Sequence, residues 1–241
     1  MFREIKKRQI ILENRKPYGS GICERILEMN RVDWIYSSMR LDGSKLKRDE
    51  VEIIMNGGFI ESANLNEHTV IEKYNDMYRA AADNLALSSS LNREMILCFH
   101  RLLSGSAATD FRRGQPVLES FKYVPPHPAD VEEQMSILMN WFYSENEETE
   151  RDPILKAVCL HHRIIEVYPF DEYSEATARA AMYYYLMEKG LPAFEINMSK
   201  QEYENAVAEY LARENAEPFR TAVERGLFNK MEVLMQLTAQ V

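Results

Sequence analysis

The chain holds few of the residues that would define a metal-bound, disulfide-stapled or membrane-spanning protein. Three cysteines in 241 residues, Cys23, Cys98 and Cys159, are too few and too scattered for a disulfide framework or a zinc site. Cys98 and Cys159 fall in apolar helical stretches and read as buried thiols. Positive charge is also short. Lys and Arg total 29 against 38 Asp and Glu, a net charge of −9, which excludes a generally basic nucleic-acid surface and leaves room only for a local patch. The first residues, MFREIKKRQIIL, are charged and have no signal-peptide apolar core. No apolar run approaches the length of a membrane span. The expectation from composition is a cytoplasmic protein with no nucleic-acid partner and no membrane partner.

Helical periodicity fills most of the chain. Apolar residues recur at three- and four-residue spacing in ICERILEMNRVDWIYSSM, NEHTVIEKYNDMYRAAADNLAL, NREMILCFHRLL, ADVEEQMSILMNWFYS, DPILKAVCLHHRIIEV and EATARAAMYYYLMEKG. Gly57-Gly58, Gly105 and Gly190 followed by Pro192 are stop signals. One stretch breaks the pattern. FRRGQPVLESFKYVPPHP, residues 111–128, holds a glycine, four prolines and alternating apolar residues, which predicts a short β-hairpin or extended flap. FEIN, residues 194–197, reads as a brief strand and the acidic SENEETERD as a solvated loop. No internal repeat is present. The fold class expected is all-α, packed helices with a small hairpin.

The chemistry-bearing stretch is VYPFDEYSEATAR, residues 167–179, between two helical runs. On the first run His161 falls inside the apolar arc, as a core histidine bonded to backbone, and His162 near its polar edge, as a surface residue. Pro169 stops that helix, Phe170 turns inward, and Asp171, Glu172 or Ser174 caps the next helix with Glu175 in its first turn. A phosphate cradle at a helix start needs glycines and no competing carboxylate. This loop has no glycine and three acids.

These residues resemble the active-site loop of the Fic (Fido) family, whose motif is HxFx(D/E)GNGRxxR. The likeness extends over roughly residues 90–200: the flap segment and helix after it, DPILKAVCLHHRIIEVYPF leading into the loop, and ATARAAMYYYLMEKGLPAFEI following it. The resemblance implies a Fic-like helical bundle with a β-hairpin flap, and transfer of AMP from ATP to a Ser, Thr or Tyr hydroxyl of a target protein. Upstream, SMRLDG resembles the family's inhibitory-helix motif (S/T)xxxE(G/N), with Ser38, Asp42 and Gly43 at its specified positions. Residues 1–60 then form an N-terminal helical region bearing the inhibitory-like helix, and 61–241 the core and C-terminal helices of one unit.

Carried over by position, Tyr168 stands where the family has its histidine base. Phe170 matches. Glu172 stands at the magnesium acid, and Tyr173, Ser174 and Glu175 replace Gly-Asn-Gly. Ala176 replaces the first arginine, and Arg179 matches the second. Glu172, Ser174 and Arg179 are thus the remaining nucleotide-site positions. A tyrosine with an ordinary pKa of about 10 is protonated at neutral pH and a poor base. Loss of a charge-stabilising donor alone costs about a hundredfold or more in rate. The expectation is a protein that has lost AMP transfer and works by binding a protein partner, or by self-association as a homo-oligomer. Its flap residues Val117, Phe121 and Tyr123 would meet the partner, with ordinary hairpin packing as the plainer role of the two aromatics. No cofactor is expected; magnesium and ATP enter only if family activity persists. The alternative is an active transferase with altered chemistry through Tyr168, Glu172 and Arg179. If the inhibitory arrangement persists, Arg179 meets Asp42, through a long or water-bridged contact because Asp is one methylene shorter than Glu.

Overall fold

A computed structural model describes residues 1–106, 111–144 and 151–240. Within them lie ten α-helices: α1 Phe2–Asn14, α2 Ser20–Asp42, α3 Arg48–Met55, α4 Leu65–Ala86, α5 Arg93–Ser104, α6 Val131–Tyr143, α7 Pro153–Val167, α8 Ser174–Glu188, α9 Lys200–Arg213 and α10 Glu217–Leu237. The charged first residues, with no secondary structure assigned to them above, form α1 and pack along α10. Residues 145–150 of the acidic stretch lie outside the described residues.

The middle of the molecule is α8. Every residue from Ala176 to Leu186 is buried, so this helix has no solvent face. Its alanines 176, 178, 180 and 181 keep its surface low, and α7 lies close against it. It ends at Gly190, whose φ of +75° lets the Leu191 N–H return to Leu186 O at 2.9 Å. Around this pair, α6, α9 and α10 pack on α7, while α2, α4 and α5 pack on α8. Trp34 of α2 stacks on Tyr183 of α8, with ring centroids 5.0 Å apart, and meets Tyr78 and Phe99 edge-on. That aromatic cluster fixes α2 on α8 and so sets where the end of α2 falls.

Three local readings are corrected. No hairpin stands among the described flap residues; Glu119–Phe121 is a 3-10 turn closed by one antiparallel bridge, Leu118 to Tyr123. The prolines at 116, 125 and 126 carry no N–H and flank the segment, so a ladder cannot extend. Residues 194–197 are irregular rather than a strand, their polar groups taken by side chains: Ser37 Oγ accepts from Ile196 N, and Phe194 O accepts from the Tyr183 hydroxyl. Cys98 and Cys159 are half-buried rather than buried.

One charge sits deep between helices. Lys230 of α10 donates to Asp33 of α2 at 2.7 Å, both side chains under a tenth exposed, and Arg48 pairs with the other Asp33 oxygen. Removing the acid strands the lysine in a medium that cannot solvate it. Asp33→Ala is expected to destabilise the fold by about 3 kcal/mol in urea denaturation, and Lys230→Met on that background to recover part of the loss. A loss under about 0.5 kcal/mol would show that the pair contributes no more than a surface contact.

Candidate functional site

The loop between α7 and α8 is set by two tyrosines with left-handed backbones. Tyr168, at φ 46°, is the C-cap of α7 and its N–H reaches Ile164 O at 2.8 Å. Tyr173, at φ 60°, precedes α8 and its carbonyl accepts from Thr177 N at 2.8 Å. Left-handed geometry costs an L-residue about 1–2 kcal/mol that glycine escapes. Helix α7 therefore ends at Val167, two residues before Pro169. None of the expected side-chain caps serves α8; Ser174 Oγ instead accepts from Phe170 N at 2.9 Å and donates to Phe170 O at 3.0 Å, pinning the loop from inside.

Two residues that the sequence did not single out hold this loop. Arg112, 3% exposed, donates its backbone N–H to the Pro169 carbonyl at 2.9 Å. Its guanidinium donates to the carbonyls of Tyr168 at 2.7 Å, Gly114 at 2.9 Å and Pro126. The cation thus joins both ends of the flap to the end of α7. His100 of α5 lies flat on Phe170, ring centroids 3.8 Å apart and planes 4° apart. Burial lowers its pKa, with Glu172 and Asp171 opposing the shift. It does not line the cavity described below and supplies no base there. The doubled arginine after Phe111 and a histidine on the inner face of α5 were the available signals.

Arg179 is completely buried. It contacts Asp42, the last residue of α2, directly rather than through a long or water-bridged gap. The shorter acid suffices because Tyr74 of α4 joins in: its hydroxyl donates to the second Asp42 oxygen and accepts from Arg179 at 3.2 Å. Burial opposes the arginine's charge, but Asp42, then Tyr74 and Tyr203, outweigh it and raise its pKa. Tyr203 lies under the guanidinium, 5.4 Å from ring centroid to Cζ. Gly43, at φ +100°, stops α2 and so presents Asp42 at its end. Ser38, one turn earlier, is buried and its Oγ has no partner among the described residues.

Above this group opens a cavity of about 550 Å³. Among the described residues its charged lining is Asp42, Glu67, Glu175 and Glu204 against one cation, Lys200. Tyr168, Tyr173 and Ser174 also line it, as do Gly43 and Ser120 of the flap turn. Burial, then the charge of Glu175 and a hydrogen bond to it, push the Tyr168 phenol up to about 12. Burial likewise raises Glu175, with Arg179 pulling the other way. With its pKa raised, Tyr168 carries a still smaller phenolate fraction at neutral pH than free tyrosine, so less of it is available as base or nucleophile.

The remaining sequence candidates scatter. Glu172 is exposed and outside the cavity lining, and among the described residues no three His, Cys, Asp or Glu side chains gather to hold a metal. Glu172, the residue at the magnesium-acid position, thus does not face this cavity. Nor does the cradle fit phosphate, since Tyr173 and Glu175 bring side chains where bare backbone is required. Of the flap residues, Val117 is 69% exposed, Phe121 is buried, and the half-buried Tyr123 donates to Glu166 O at 3.1 Å. His161 is buried as expected but meets the Tyr203 hydroxyl at 3.0 Å rather than backbone. His162 is buried, not on the surface. It stacks on Tyr210 and burial takes its pKa to about 3. Helix α9 covers the edge that periodicity on α7 alone leaves open.

The Fic/DOC family model matches residues 90–186. The chain is 26% identical over 182 residues to Protein adenylyltransferase Fic of Nematostella vectensis, covering 73% of this chain and 42% of that protein. It is 27% identical over 182 residues to Protein adenylyltransferase fic-1 of Caenorhabditis elegans, covering 72% and 35%. The chain thus spans less than half the length of these curated relatives. Among solved structures, a Fic domain containing signaling protein from Bacteroides thetaiotaomicron superposes with TM-score 0.83 at 16% identity, over 98% of both chains. Fic-1 from C. elegans superposes with TM-score 0.77 at 20% identity, over 99% of this chain and 72% of that one. These last two likenesses establish the fold.

Two outcomes are expected. Tyr173→Gly is more stable than Tyr173→Ala by about 1 kcal/mol in thermal denaturation, the reverse of the ordinary preference, because only glycine meets φ 60° without strain. Equal stabilities would mean that the left-handed turn is absent in solution. The second concerns pH. A folded pKa of about 12 for Tyr168, above the unfolded value of about 10, leaves its contribution intact below pH 10 and removes it as pH rises towards 12. Tyr168→Phe should lose less stability than the parent over that window, by about 1 kcal/mol after allowance for screening at a half-buried phenol. Parallel curves would place the phenol in water.

Proposed function

We propose that the chain, which belongs to the Fic/DOC family, does not transfer AMP and works as a binding or regulatory protein on a preserved Fic scaffold. The relatives named adenylyltransferases supply the activity against which the loss is judged. One observation carries the reading: the cavity beside the motif loop is lined by four carboxylates and one lysine, with Tyr168 held protonated where the family has a histidine base. A nucleoside triphosphate brings several negative charges, and such a lining repels them in a partly enclosed site. Arg179, the one family cation retained, is already committed to Asp42 and Tyr74. On this reading neither magnesium nor ATP is bound. The partner is a protein or a second copy of this chain, meeting the flap at the exposed Val117.

Titration calorimetry with ATP and magnesium is expected to give no heat, and labelled AMP no incorporation, in both the parent chain and Asp42→Ala. The informative companion is a rebuilt loop: Tyr168→His, Tyr173→Gly, Ser174→Asn, Glu175→Gly and Ala176→Arg, together with Asp42→Ala. Because the backbone still turns as glycine would at Tyr173, this variant is expected to bind magnesium-ATP at least about a hundredfold more tightly than the parent, as charge is restored. Tight magnesium-dependent ATP binding by the parent chain would overturn the proposal. Nucleotide attached covalently to Tyr168 would establish altered transfer chemistry instead.

A further inference from the structure

On a different part of the surface, a crevice of about 450 Å³ opens between α1, the start of α7 and the end of α8. It shares no lining residue with the cavity beside Tyr168. Its floor is apolar: Ile5, Tyr185 and Leu191 are each 3% exposed or less, and Phe2 and Pro153 complete it. Its polar groups are cationic or neutral. Lys6 comes from α1 and Lys189 from the end of α8, Arg151 adds a third cation, and Gln9 is the one amide. No carboxylate stands among the described residues lining it, in a chain where acids outnumber bases by nine.

The sequence of α1 arranges this. Phe2, Ile5, Lys6 and Gln9 share one helical face and turn towards the crevice. The neighbouring cations are used elsewhere: Lys7 pairs with Glu4, and Arg8 with Glu4 and Glu232. Lys6 has no ion pair among the described residues. Lys189 has one at 3.7 Å to Glu188, long enough to be exchanged, and its ammonium lies 5.2 Å over the Tyr185 ring. Gln9 Nε2 donates to Lys189 O at 2.8 Å, tying α1 to the end of α8 and fixing the two lysines relative to one another. The volume falls within the range of about 300–1,000 Å³ found for small-molecule clefts, and an apolar floor with a few convergent polar groups is their usual make-up.

We propose that this crevice binds a small anionic amphiphile: an apolar body lying against Ile5, Tyr185 and Leu191, with a carboxylate or phosphate head between Lys6 and Lys189. The inference goes beyond the preceding proposal and stands or falls separately. The probe is sodium decanoate, titrated into the full chain by calorimetry, with decanol as the neutral counterpart of equal length. Decanoate is expected to bind at least about tenfold more tightly than decanol, and its affinity to fall as salt is raised. The double variant Lys6→Glu, Lys189→Glu, shown to be folded by circular dichroism, should bind it at least about tenfold more weakly. If that variant does not fold, the decanol comparison and the salt dependence decide. Failure of decanoate to bind, equal binding of decanol, or undiminished binding by the folded double variant overturns the proposal. So does binding to phosphatidylglycerol vesicles without binding of free decanoate, which would make the patch a membrane contact.

Discussion

A single buried cation organises the centre of this molecule. Arg179 has no exposed surface, so its charge must be met from within, and the groups that meet it come from three helices besides its own. Asp42 closes α2, Tyr74 stands on α4 and Tyr203 on α9. An unpaired guanidinium at this depth would cost several kcal/mol. The end of α2, which carries Asp42 into the lining of the main cavity, is consequently tied to the middle of α8. The Trp34 cluster supplies the apolar half of the same attachment. Together with the Asp33–Lys230 pair they hold α2 in place.

The loop beside it separates scaffold from chemistry. Phe170 stays buried against His100, Ser174 stays bonded to Phe170, and Tyr173 keeps a backbone turn that suits glycine. These features are held by packing and by backbone hydrogen bonds, which tolerate many side chains above them. What faces the cavity is governed by charge and pKa instead, and there burial and the charge of Glu175 disfavour ionisation of Tyr168. A loop can therefore keep its shape while its reactivity drifts, because different forces maintain the two.

Most of the helices were legible, since periodicity reports burial on one face directly. The pairing of Asp42 with Arg179 was legible only through family resemblance, as 137 residues separate the two. Tyr74 was not legible at all: a tyrosine on an amphipathic helix looks like core until its hydroxyl finds a partner. His162 shows the converse limit. Its position on α7 reads as an edge, and only the packing of α9 with Tyr210 turns that edge into interior. The flap misled for a local reason, as alternating apolar residues suggest strands but prolines on both sides leave room for a single bridge. Glu172 matched a family position in sequence and faces solvent, since a loop's spacing does not fix which way a side chain turns.

The grip of Arg112 on the flap and loop has one further consequence. Its guanidinium partners among the described residues are carbonyl oxygens, from Val167, Tyr168, Gly114 and Pro126. Carbonyl oxygens accept hydrogen bonds without any change of protonation, so this grip asks nothing of the acids around it. Flap, loop and the end of α7 are thereby fastened as one piece through backbone atoms alone, whichever side chains occupy those positions.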